Sequence, residues 1–225
     1  MLRLPQARSE TGSEKRLRHS LRGGQVASVS ELRRVYGSVV CVCGLAGSGK
    51  STLARRLARK YGLKYFSGGD ALKALALDEG LGGIKRGWWE SAEGLRFLEL
   101  RGKDSEFDRV VDAKLLEFAR VGHVVLDSWT MPWLLDCGFK VWLEASIEKR
   151  AKRIAKRDGM SFEDALKALK EKEAGTRSIY KRLYGFSLGE DFEPFHLILD
   201  TDYLSAPEVF DVLCLVMENY LLRKP

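Results

Sequence analysis

Histidine and cysteine are scarce in this chain. Its 225 residues hold three histidines, His19, His123 and His196, which form no cluster, so none is assigned a catalytic role. The four cysteines, Cys41, Cys43, Cys137 and Cys214, sit in apolar surroundings without metal-ligand spacing. They read as small buried hydrophobes of a reducing compartment. Cys41 and Cys43 lie two apart on an expected strand and so share one face. No run approaches the roughly 18 apolar residues of a membrane span. No apolar core of a secretory signal stands at the N-terminus, and three glutamates there speak against an organelle transit peptide. The expected location is the cytoplasm. There is no internal repeat.

What is present is the balance of a soluble globular domain, 45% apolar and 31% charged. The net charge of +7 is unevenly spread. Eight lysines and arginines against three glutamates place most of it in residues 1–36, a polar, largely aperiodic arm expected to be disordered, with a short helix over Ser30–Tyr36. The arm is either an extra N-terminus without a role or a contact for nucleic acid or another polyanion. No aromatic residue is interleaved with its arginines, which favours the former. Residues 37–225 form one domain, expected to act as a monomer.

From Ser38 strands alternate with helices. Val39–Cys43 is an unbroken apolar run, as in a parallel strand covered on both faces. Ser51–Tyr61 carries a helical stripe of Leu53, Leu57 and Tyr61, with Gly62 to end it. Strands are expected at Lys64–Phe66, His123–Leu126, Lys140–Leu143 and Leu197–Leu199. Helices are expected at Asp70–Leu77, within Glu90–Arg120 with a break near Gly102, at Ile147–Arg157, from Ser161 towards Tyr184, and after Ser205. The pattern predicts an α/β fold of three layers around a mainly five-stranded parallel sheet.

Gly44-Leu-Ala-Gly-Ser-Gly-Lys-Ser51 fits G-x-x-x-x-G-K-[ST], between a buried strand and a helix. Glycines let the backbone turn its N–H groups onto phosphate oxygens. Lys50 supplies a cation, the Ser51 hydroxyl is a ligand for Mg²⁺, and the helix N-terminus adds partial positive charge. Gly44, Ala46, Gly47, Ser48, Gly49, Lys50, Ser51 and Thr52 are therefore the candidate site for the β and γ phosphates of ATP.

A phosphate loop alone does not separate kinases from switches and motors. A small-molecule kinase needs an acceptor site and a cationic lid that excludes water. The stretch from Glu148 to Arg177, "EKRAKRIAKRDGMSFEDALKALKEKEAGTR", suits a lid. Arg150, Arg153 and Arg157 recur along one helical face, Asp158-Gly159 breaks the helix, and a second helix brings Lys172, Glu173 and Arg177 back. Spacing alone leaves open a solvated basic surface helix.

"RAKRIAKRDGMSFEDALKALKEKE", with the later "HLILDT", the early "YFSGGDALKALA" and "EFDRVVD" at 106–112, resembles the archaeal cytidylate kinases of the nucleoside monophosphate kinase superfamily. The resemblance runs from about Val39 to the C-terminus. It implies a helical acceptor-binding insert over about 67–120 and a lid over about 153–177. It implies Lys50, Arg153, Arg157 and Lys172 as catalytic cations, and Ser67, Asp70, Lys73 and Asp127 on the substrate side. Asp127 is either a partner of a Mg²⁺-bound water or a turn acid. Asp108 and Asp112 would lie in the acceptor-side helices, and Asp200-Thr201 near a base. The chain departs from the family at several positions. Lys73 and Lys172 stand where arginines are usual. Asp127-Ser128-Trp129 replaces Glu-Gly-Arg, Ile179 falls near a cationic position, and His196 replaces an aspartate. Arg101, Lys103 or Arg109 could supply the missing charge. Trp88, Trp89, Trp129 and Trp133 are either core or base-stacking residues, with core favoured for most. The implied function is transfer of phosphate from ATP to CMP or dCMP. Alternatives are another acceptor (AMP, UMP or a non-nucleotide alcohol) or a nucleotide-binding module docked on RNA or protein by its arm.

Overall fold

The computed structural model describes residues 39–81 and 87–223, so the N-terminal arm and the helix expected over 30–36 lie outside the described residues. Five strands form one sheet: β1 (Val39–Cys43), β2 (Lys64–Ser67), β3 (Val124–Asp127), β4 (Phe139–Glu144) and β5 (Leu197–Asp200). Their order is β2-β3-β1-β4-β5 and every pair is parallel. The strand order reverses at β1, and such a switch point opens a crevice at the carboxyl ends of the strands.

The helices cover both faces. On one, Val40 and Val42 pack with Leu53, Leu57 and Tyr61 of α1 (Lys50–Tyr61) and with Leu213 and Met217 of α8 (Ala206–Arg223). On the other, Val39 and Cys41 pack with Leu72 of α2 (Gly68–Asp78), Phe97 of α3 (Ala92–Lys103) and Leu115 of α4 (Glu106–Val121). Alternation of side chains along a strand buried on both faces accounts for this division.

The break expected near Gly102 is present two residues on. Gly102 is inside α3, and the chain turns at Asp104-Ser105, where the Asp104 carboxylate accepts the Glu106 N–H at 2.9 Å and starts α4. Cys41, Cys43 and Cys214 are buried as expected, but Cys137 is exposed. It sits beside Gly138 (φ 97°) in the turn that enters β4, which carries it to the surface. Two short elements escaped the periodicity: a 3-10 turn at Trp88–Glu90, and α5 (Met131–Leu134) after β3. α6 (Ile147–Asp158) and α7 (Phe162–Tyr184) form a hairpin. Gly159 (φ 71°) caps the first helix, and the Ser161 hydroxyl caps the second by accepting the Asp164 N–H at 3.0 Å.

Candidate active site

A cleft of about 470 Å³ opens where the phosphate loop, α2, the 3-10 turn, the end of β3 and the α6–α7 hairpin meet. Gly44 begins the loop with φ 145°; a β-carbon there would sit 2.6 Å from the Leu143 carbonyl oxygen, so only glycine fits. The loop ends at Gly49 (φ 97°), and Lys50, Ser51 and Thr52 open α1 on the cleft wall with Ala46, Gly47 and Gly49. Gly44 and Ser48 lie outside the lining; the Gly44 carbonyl accepts the Trp129 indole N–H at 2.6 Å, and Ser48 is buried.

The hairpin arginines take three different places. Arg150 is buried, donates to the Ala145 and Ala46 carbonyls at 3.0 and 3.1 Å, and pairs with both carboxylate oxygens of Glu173. Sequence spacing grouped it with the lid cations; it is instead a tie between the phosphate loop, α6 and α7, because its guanidinium is consumed by buried partners. Arg153 lines the cleft and donates to the Gly47 and Ser48 carbonyls, each at 3.3 Å, and to the Thr201 carbonyl at 3.1 Å. These bonds tie the phosphate loop to α6 and to the end of β5. Arg157 also lines the cleft, bonded to Glu90 at 3.1 Å and to Asp158. Arg177, expected to return to the lid with Lys172, points elsewhere and pairs with Glu190 at 3.4 Å.

Lys172 reaches the cleft from α7. Its ammonium lies 3.2 Å from Glu90, 5.0 Å from the centre of the Trp89 ring and 5.9 Å from that of Trp129. Burial pushes its pKa down to about 8, opposed by the Glu90 carboxylate and reinforced by Lys50 and Arg157. The Lys50 ammonium stands 5.3 Å from the Trp129 ring centre. Of the four tryptophans considered for base stacking, Trp89 and Trp129 thus face the cleft. Trp88 is core, and Trp133 stacks on Phe186 at 4.0 Å.

On the opposite wall Ser67 caps α2 through the Asp70 N–H at 3.1 Å, and Asp70 pairs with Arg55 of α1 at 3.2 Å. Lys73 lines the cleft one turn further on. Asp127 ends β3, buried, and accepts the Tyr65 hydroxyl at 3.0 Å. The floor holds two buried polar groups. Arg101 donates to both oxygens of Asp108, at 2.6 and 3.1 Å, and to Tyr180 at 3.4 Å. Asp112 accepts from Thr130 at 2.5 Å and from Tyr184 at 2.6 Å, and burial raises its pKa to about 6. Of the three cations considered as replacements, Arg101 lines the cleft but is bound by Asp108, whereas Lys103 and Arg109 do not line it.

Glu90, Arg55, Tyr65, Thr130 and Tyr180 also line or brace the cleft, and no sequence motif marks them as site residues. Glu90 follows two tryptophans with no motif around it, and its importance comes from helices far along the chain. Tyr65 precedes Ser67 by two positions on one strand, which was a usable signal that it shares that residue's face.

Residues 39–203 match the model of the cytidylate kinase-like family. The cytidylate kinase of Pyrococcus horikoshii is 35% identical over 176 residues, covering 78% of this chain and 85% of that protein. That of Pyrobaculum islandicum is 35% identical over 192 residues, covering 83% and 98%. Among solved structures, shikimate kinase from Acinetobacter baumannii in complex with shikimate superposes with a TM-score of 0.51 at 19% identity, over 85% of this chain and 98% of that one. A likeness at that identity shows the fold alone.

Proposed function

The chain belongs to the cytidylate kinase-like family, and from this we propose that it moves the γ-phosphoryl group of ATP onto CMP or dCMP, giving ADP and the nucleoside diphosphate. The observation that carries the reading is one cleft in which Lys50 of a phosphate loop faces Arg157 and Lys172 of a helical hairpin. Phosphoryl transfer needs little from the protein beyond alignment and charge. In this reading Ala46, Gly47, Gly49, Lys50, Ser51 and Thr52, which line the cleft, hold the β and γ phosphates, and Gly44 and Ser48 shape the loop behind them. Lys50, Arg153, Arg157 and Lys172 offset the charge that spreads over the equatorial oxygens, and the hairpin 153–177 is the lid that shuts out water. Ser67, Asp70 and Lys73 take the acceptor, within an insert over 67–120.

The donor set suits Mg²⁺. The Ser51 hydroxyl and the Asp127 carboxylate are hard oxygens on the same cleft, and among the described residues no group of three or more histidine, cysteine or acidic side chains could hold a metal. Mg²⁺ is commonly held by one or two protein oxygens plus substrate phosphates. Ser51 and Asp127 would hold it, and when bound it would offset negative charge on the phosphate oxygens. No described helix is long and apolar enough to cross a membrane. We place the enzyme in the cytoplasm, as a monomer whose cleft is built by one chain.

The test is ATP consumption with CMP, dCMP, UMP and AMP supplied singly. CMP and dCMP should turn over, and Lys50→Ala should lower kcat by about 100-fold or more. One observation favours a different acceptor on the same site: Arg101 is tied to Asp108 and an indole stands at position 129, and among the described residues each arginine that lines the cleft is already bonded to the protein. Turnover confined to AMP, UMP or a non-nucleotide alcohol would decide for that version.

A further inference from the structure

The reading of Lys172 as a transfer cation leaves a physical difficulty, because its ammonium is buried among other cations. Lys50 of α1 and Arg157 of α6 both act against its charge. Two like charges and a desolvated site favour a neutral amine, which would bring no charge to a phosphoryl group. Against them stand three groups. Glu90, from the 3-10 turn, accepts from Lys172 at 3.2 Å and from Arg157 at 3.1 Å. The ring centres of Trp89 and Trp129 lie 5.0 and 5.9 Å from the ammonium, within the reach at which an aromatic ring attracts a cation. The Trp129 ring is itself fixed, since its N–H is bonded to the Gly44 carbonyl at 2.6 Å. Ring faces attract a cation without taking up its N–H groups, so the ammonium keeps donors for phosphate oxygens.

We infer that Glu90, Trp89 and Trp129 are positioning residues, a cage that holds the Lys172 ammonium in the phosphoryl path and sets it in register with the phosphate loop. The inference rests on the proposed role of Lys172. Glu90 joins both helices of the hairpin to the 3-10 turn through one carboxylate, and Trp129 joins the same lysine to the loop that carries Lys50. None of the three needs to touch the substrate.

The experiment follows the Lys172 side chain directly. In the unliganded full-length protein, labelled with ¹³C and ¹⁵N at lysine, the Lys172 resonance is assigned by its loss in Lys172→Arg and titrated with pH. The wild-type midpoint should fall near 8. Glu90→Gln should lower that midpoint by about one pH unit, and Trp129→Leu should lower it too, with Trp129→Phe, which keeps a ring but loses the N–H to Gly44, falling between Trp129→Leu and wild type. In steady-state assays Glu90→Gln should show kcat about threefold lower near pH 7.5, recovering as the pH is lowered, with KM for ATP little changed. Glu90→Asp should restore part of the loss. An unmoved midpoint in both Glu90→Gln and Trp129→Leu would overturn the cage. So would a faster Glu90→Gln enzyme, which would make the carboxylate a block on the cations. Lys172→Met with full kcat would instead remove the role of Lys172 in transfer, and the titration would still report on whether the cage exists.

Discussion

At the scale of single residues, burial sorts side chains that look alike in the sequence. Arg150, Arg153 and Arg157 are equivalent by spacing, yet the first is enclosed with Glu173, the second braces the phosphate loop and the third is half exposed in the cleft. Removing one partner of an enclosed pair leaves the other charge unpaired. Arg150→Met should therefore cost about 3–5 kcal/mol, seen as a large fall in the midpoint of thermal unfolding. Arg150→Met with Glu173→Leu should recover most of it, since two apolar groups replace two charges. If the double variant is no more stable than the single, the pair is not what Arg150 contributes. The candidate site was legible in sequence where a local motif carries it, from Gly44 to Thr52. Arg101 was legible as a candidate cation but not as the partner of Asp108, and Glu90 was not legible, because their partners lie on α4, α6 and α7 and no local pattern encodes a partner that distant.

At the scale of elements, the α6–α7 hairpin turns on Gly159. Its φ of 71° is a conformation that L side chains adopt at a cost, and no atom lies within 4 Å of where a β-carbon would be. The effect of Gly159→Ala is thus backbone strain alone, about 1 kcal/mol, and unfolding should begin about 2–4 °C lower. Gly159→Asn should lose less, because asparagine tolerates that region. An unchanged midpoint in Gly159→Ala would mean that the turn relaxes to another geometry. The strands were readable because a strand covered on both faces is apolar without interruption, as in Val39–Cys43. The hairpin was readable from its caps, Gly159 and Ser161. The 3-10 turn and α5 are too short to show a period, and they exist because Trp88 and Met131 are drawn into the core beside Phe97.

At the scale of the whole molecule, the buried acid on the cleft floor shapes stability against pH. Asp112 is held at a pKa of about 6 against an ordinary 3.8, and burial is the largest cause. A carboxyl raised in the folded state favours folding fully below the unfolded value, and that contribution is lost as pH rises through the folded value. The contribution should fade between about pH 4 and 6 and amount to at most about 3 kcal/mol. Asp112→Asn should flatten the unfolding midpoint across that window relative to wild type. A wild-type curve with no Asp112-dependent change there would show the carboxyl to be ordinary.

The sheet order has a consequence for how the protein is made. β1 is the first strand of the described chain, yet its neighbours are β3 and β4, which follow the entire helical stretch from α2 to α4. On the ribosome the phosphate loop emerges early with no strand on either side of β1, and Arg150 and Glu173, which tie it down, emerge later still. Nucleotide can stabilise the completed enzyme by mass action. It offers no foothold to a nascent chain shorter than about its first two-thirds, so protection of the unfinished β1 falls to whatever else binds exposed apolar segments during synthesis.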